Sequence, residues 1–183
     1  MLAKLWRFCL YRDSGPTLIL DRLQQVEHEA YLTLTAERAG VMVPEVLAAG
    51  RFGPSRDAAP VTRVPDGLAL SEVNGADLSD GTLDEVVQAV LRLRDADIAH
   101  GALGGDTIIV SNQGVCIRDF RRASASAPDS RMDGDLAAAL GAMAVRAGAE
   151  RTAAATRVLP VDTAHSAAAP CRCPAAPASS RPA

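Results

Sequence analysis

Between Ile98 and Arg121 the chain gathers a histidine, two carboxylates and four glycines around a short apolar hairpin pattern. His100, Asp106 and Asp119 are the groups there that can exchange a proton or hold a metal. Asp119 lies just past an apolar run, and its carboxylate suits Mg²⁺, a hard cation that prefers oxygen ligands. Asp106 is the one carboxylate in the preceding loop that could take a proton from a substrate hydroxyl, a service worth roughly 10² to 10⁴-fold in rate. Gly101, Gly104 and Gly105 suit a tight loop; their spacing is not that of a phosphate-cradling P-loop. His100 in such a loop is expected to pack and hydrogen-bond, a structural role, despite its useful pKa range. Further upstream Glu27, His28 and Glu29 are adjacent, but neighbours on a helix point in different directions, which favours a solvated face over a metal cluster.

The elements that must position these groups follow from periodicity. Residues 1–10 have helical spacing in Leu2, Leu5, Trp6 and Cys9, and Asp13-Ser14-Gly15-Pro16 breaks it. Asp21 can cap a second helix with Gln24 at the capping-box position; Leu23, Val26, Ala30 and Leu34 give it one apolar face, and Gly40 ends it. Residues 41–49, with Pro44 among them, and residues 59–64 read as two strands that pair, the second running into the Pro65-Asp66-Gly67 turn. Thr82 and Glu85 form another capping box, opening a helix whose broad apolar face, Leu83, Val86, Val87, Val90, Leu91 and Leu93, runs to about Asp97. Residues 107–111 and 115–118 are strands joined by Asn112-Gln113-Gly114, a turn sequence suited to a hairpin. Residues 121–131 read as an exposed loop, and residues 133–149 as an Ala-rich helix with Asp135 near its start.

The order of these parts resembles the protein-kinase-like family, which includes the aminoglycoside phosphotransferases. That family carries His-Arg-Asp-Leu-x-x-x-Asn, a strand pair and Asp-Phe-Gly. Here His100-Gly101-Ala102-Leu103, Thr107, Ile108-Ile109-Val110 and Asp119-Phe120-Arg121 stand in that order at nearly that spacing. Val26-Glu27-His28-Glu29-Ala30-Tyr31-Leu32 and Val43-Pro44-Glu45-Val46-Leu47-Ala48-Ala49-Gly50 bring the chain closest to the kinase-like cytoplasmic domain of high-GC bacterial lysylphosphatidylglycerol-synthase/flippase-type membrane proteins. The resemblance implies a hinge segment at Thr62, Arg63 and Val64 for an adenine ring, with ATP and Mg²⁺ as cofactors and Asp119 as metal ligand. It also implies structural roles for Glu29, which would face a strand lysine, for His100, and for Asp135, which would support the loop. The departures are chemical. Ala102 stands at the catalytic-base position, Thr107 replaces the second metal-binding Asn, Arg121 replaces Gly, and neither a Gly-rich strand-turn-strand nor a strand lysine precedes Glu29. Lys4, the only lysine beside eighteen arginines, falls in the first helical pattern and reads as a solvated side chain.

Composition limits the remaining classes. A chain of 183 residues with 48% apolar content can bury one core, and at 3% aromatics that core is built of Leu, Val, Ile and Ala. A net charge of −3 without a basic stripe argues against a nucleic-acid partner. No run reaches the roughly eighteen apolar residues that a membrane span needs, and residues 1–10 lack a signal-peptide core, so a cytoplasmic location, membrane-associated only through a partner, is expected. Cys9, Cys116, Cys171 and Cys173 form no disulfide framework or zinc pattern. Residues 160–183 hold five of the eleven prolines and eight alanines and are expected to be disordered.

The expected architecture is α+β (α/β in the broad sense), a partial two-lobed kinase-like fold with an incomplete antiparallel sheet and a helical lobe. Residues 1–20 form a helix and turn, 21–66 a partial small lobe, 67–159 a helical lobe and 160–183 a tail. Three functions compete: a degenerate module that binds or regulates, with a membrane protein or a missing membrane domain as partner; an active small-molecule phosphotransferase using Asp106 and Asp119; and a gene product truncated at both ends without autonomous function.

Overall fold

The helix expected to follow Asp21 runs from Arg22 to Arg38 (α1) in the computed structural model, which describes residues 22–54 and 56–158. The cap at Asp21, the helical pattern at residues 1–10 and the Pro/Ala tail fall outside those residues. α1 buries Val26, Ala30, Leu32, Thr33 and Ala36, whereas Leu34 is exposed. The buried face is thus wider than a single apolar stripe, because α1 packs on two sides, and Thr33 is tolerated there by donating its hydroxyl to the Glu29 carbonyl at 2.8 Å. Gly40, at φ +80°, turns the chain out of the helix in a left-handed conformation that carries no Cβ penalty in glycine.

The two strands after α1 pair as expected, with shifted ends. β1 (Glu45–Phe52) and β2 (Asp57–Arg63) are antiparallel from Glu45↔Arg63 to Phe52↔Asp57, with an irregularity between Val46 and Ala48. Pro44 precedes β1, since a proline nitrogen has no hydrogen to give a ladder. A three-residue strand not foreseen in the sequence, β3 (Gly67–Ala69), follows the Pro65-Asp66 bend.

α2 (Asp80–Asp95) starts earlier than the Thr82 box suggested. Ser79 is its cap, accepting a hydrogen bond from the Thr82 N–H at 3.0 Å, so Thr82 lies inside the first turn. Its buried side, Leu83, Val86, Val87, Ala89, Val90 and Leu93, forms the centre of the core. β4 (Ile98–Ala99) leads into the His100 loop, and β5 (Ile108–Ser111) and β6 (Gly114–Ile117) form the hairpin, closed at Ser111↔Gly114 around Asn112-Gln113. β3 adds to β5, giving an antiparallel sheet in the order β3-β5-β6. Residues 121–131 are not a simple loop. A 3₁₀ turn over Phe120–Arg122 and a short strand, β7 (Ser124–Ala125), pairs back onto β4. α3 (Asp129–Ala147), which begins before the expected Asp133, and α4 (Ala149–Ala155) then cover α2.

The fold is α+β, with open antiparallel sheets. Its core joins α2 to Leu32, Leu70, Ile108, Ile117, Phe120, Leu136 and Met143, all at most 2% exposed. No residue of β1 or β2 belongs to it. Among the described residues no helix is long and apolar enough to cross a membrane.

Candidate functional site

The groups singled out by chemistry lie around a loop whose shape is set by Asp135. This carboxylate, projecting from α3 and 7% exposed, accepts the His100 N–H at 2.6 Å and the Gly101 N–H at 3.0 Å. His100 is fully buried, with its ring edge-on to Phe120 at a centroid distance of 5.0 Å. Its Nε2 lies 3.0 Å from the Arg118 carbonyl, which can only accept, so Nε2 carries the proton. Nδ1 is then a buried acceptor without a partner among the described residues. Burial lowers the imidazole pKa from its ordinary value, against opposing contributions from the Arg118 carbonyl and the charges of Asp135 and Asp119. His100 is therefore a neutral packing residue.

The rest of the loop satisfies itself. Thr107 accepts the Gly104 N–H at 2.9 Å and donates to the Gly104 carbonyl at 3.0 Å, closing a tight turn with both functions of its hydroxyl. The carboxylate of Asp106 bonds the Ser71 hydroxyl. Its backbone carbonyl accepts from Nε and Nη2 of Arg118 at 3.1 and 3.0 Å. Ala102 is exposed.

A cleft of about 310 Å³ opens between α1, the β1–β2 pair and the chain after β6. Glu29, Ala30 and Thr33 reach it from neighbouring turns of α1, while Pro60 and Thr62 line it from alternate positions on β2, as the period of a strand requires, and Val64 from just past the strand's end. Pro44, Val46 and Phe120 add apolar surface, and Arg118, Asp119 and Arg121 close one end. The cleft thus brings together Glu29, Thr62, Val64 and Asp119. It does not include Arg63, whose place on the strand turns it to the opposite face, where it pairs with Glu45 at 2.5 Å. Neither Ala102 nor Asp106 lines it, which leaves Asp106 poorly placed as a substitute base.

The residue that sequence reasoning undervalued is Arg121. Asp119 has φ +71°, a left-handed conformation, and the 3₁₀ turn that follows folds Arg121 back onto it. Nε and Nη2 of the guanidinium then meet the two carboxylate oxygens, each at 2.5 Å. These hydrogen bonds hold the Asp119 carboxyl below its ordinary pKa, outweighing its partial burial, and raise that of Arg121. Glu29 sits across the cleft. Burial, and then the Asp119 charge, push its carboxyl upward, with Arg121 opposing.

The donor set does not fit Mg²⁺. Both Asp119 oxygens are engaged by a cation already in place, Thr107 is tied to Gly104, and among the described residues no group of three or more His, Cys, Asp or Glu is arranged to hold a metal ion. The walls are largely apolar, and the volume lies at the lower end of small-molecule pockets, roughly 300–1,000 Å³. No known family model matches the chain, and no curated protein matches it.

Proposed function

We propose that this chain is a degenerate kinase-like module that binds or regulates and does not transfer phosphate, with the α1–β2 cleft as a remnant nucleotide pocket. The observation that carries this reading is the paired engagement of Asp119 by Arg121. A carboxylate held at both oxygens is poorly placed to collect a metal ion, and phosphoryl transfer depends on metal, positioning and electrostatics more than on a base. Support comes also from the base position, where Ala102 is exposed and outside the cleft. The gathering of Thr62, Val64, Glu29 and Asp119 around one apolar cavity favours a retained ligand. On the family resemblance, the regulated partner is a membrane protein.

Thermal unfolding of the full chain with and without millimolar ATP, followed by an assay for released ADP, tests the proposal. A ligand selective for the native state stabilises it by about 1.4 kcal/mol at tenfold its Kd. The expected outcome is a transition that rises with ATP while ADP stays at the background level. ADP formation that is abolished by Asp119→Ala would show a working phosphotransferase and end the degenerate reading. A cooperative but unmoved transition would remove the nucleotide.

A further inference from the structure

The Asp119–Arg121 pair does more than remove a metal site, because it leaves a cation at the same end of the cleft. A guanidinium has five N–H donors, and the bidentate bond to Asp119 uses one on Nε and one on Nη2. Three donors remain on a side chain that is 65% exposed and lines the cavity. Arg118 also lines the cavity, but its guanidinium is directed to the loop at Asp106, which does not line it. Its Nε and Nη2 donate to the Asp106 backbone carbonyl, and it makes no ion pair among the described residues. One guanidinium, already held by a carboxylate, therefore stands at the end of the cleft where a phosphate would lie opposite the apolar walls.

We infer that the cleft takes its nucleotide without a divalent cation, with the Arg121 guanidinium standing where a metal would otherwise bridge Asp119 and the phosphates. The inference rests on the nucleotide reading given above and adds the chemistry by which it is met. Guanidinium matches phosphate oxygens in pairs, as it does carboxylate oxygens, so Arg121 can hold Asp119 with one edge and an anion with the other. A Mg²⁺ ion would have to break both hydrogen bonds to Asp119 and then sit beside the displaced cation. Binding is thus independent of metal, and it depends on the phosphates: adenosine, which lacks them, binds more weakly than ATP.

The test is a titration of the full chain with ATP by calorimetry, once in excess Mg²⁺ and once in excess EDTA, with adenosine as the uncharged control. The expected result is a Kd that differs by less than about threefold between Mg²⁺ and EDTA, and a loss of about tenfold or more for adenosine. Arg121→Ala should weaken ATP binding in EDTA by about tenfold or more, and Mg²⁺ should recover part of that loss because Asp119 is then free. Arg121→Lys, which keeps the charge but not the fork, should fall between the two. Binding that needs Mg²⁺ in the unaltered chain overturns the inference and leaves the nucleotide reading standing. Equal affinity for adenosine and ATP overturns it as well, since the Arg121 guanidinium would then contribute nothing. No binding under either condition overturns both. The comparison in the unaltered chain decides the matter even if a variant fails to fold.

Discussion

Asp135 and His100 carry the loop between them, and each makes a prediction about stability. Asp135 is the acceptor for two backbone N–H groups, that of His100 in a buried bond and that of Gly101 in a part-buried one. Replacing it with Ala strands both donors, at about 1–3 kcal/mol for the buried His100 N–H and less for the part-buried Gly101 N–H, so a loss of about 1–4 kcal/mol is expected. Urea unfolding should show it as a lower midpoint with an unchanged slope, and a loss below about 1 kcal/mol would mean that water reaches the loop. His100 ties stability to pH. Its folded pKa lies below the ordinary 6.5, so below that value the unfolded chain binds a proton that the folded chain refuses. Stability from this group is complete above about pH 6.5 and falls as the pH drops toward the folded pKa, with a slope of at most about 1.4 kcal/mol per pH unit. His100→Gln should flatten that part of the curve, and an unchanged slope would assign the pH dependence to other groups. Arg121 was the least legible of the site residues. Its role depends on a positive φ at Asp119, and such a turn leaves no trace in hydrophobic periodicity; in the sequence the side chain registers only as a missing glycine.

At the level of elements, the segment between β3 and α2 is held in place by α3 and α4. Gly75 lies against the backbone of α3, where an added Cβ would overlap the Arg146 carbonyl oxygen. Arg151 on α4 donates to the Gly75 carbonyl at 3.1 Å and the Asp80 carboxylate at 2.8 Å, and also bonds the Leu78 carbonyl. Gly75→Ala must therefore move a helix backbone and should cost about 1–3 kcal/mol, the usual range for overpacking. Gly141→Ala, on open surface of α3, is the matched control and should be neutral or slightly stabilising. Equal melting temperatures for the two variants would show that the Gly75 segment is not clamped. These elements also show which parts of the fold can be read in advance. The β5–β6 hairpin was legible because Asn112-Gln113-Gly114 and the flanking apolar runs agree. The start of α2 was not, because Ser79-x-x-Thr82 and Thr82-x-x-Glu85 are overlapping cap patterns, and only the hydroxyl geometry at Ser79 decides between them. β3 was missed because three residues are too few for a period.

Over the whole molecule, stability is unevenly divided, and the cleft lies on the boundary. The core around α2 includes the loop, the β5–β6 hairpin and α3, while β1 and β2 form a two-stranded ladder without one buried residue. Leu47 and Val61 are 48% and 41% exposed on it. Two strands alone are marginal in water, so this ladder depends on α1 for its position and should open well below the global unfolding free energy. Amide hydrogen exchange should then show β1 and β2 exchanging by local opening, while α2 and β6 exchange only on global unfolding. The same experiment links stability to function, because Val46 and Thr62 form one wall of the cleft and Asp119 and Arg121 the other. A nucleotide that spans the two walls binds only the closed arrangement and must lower the population of openings in proportion to its occupancy. At ATP tenfold above its Kd, exchange in β2 should slow by about tenfold, with α2 changed only through the global term. Uniform protection across the chain would mean that the ladder and core unfold together, and protection confined to β5 and β6 would put the ligand somewhere other than this cleft.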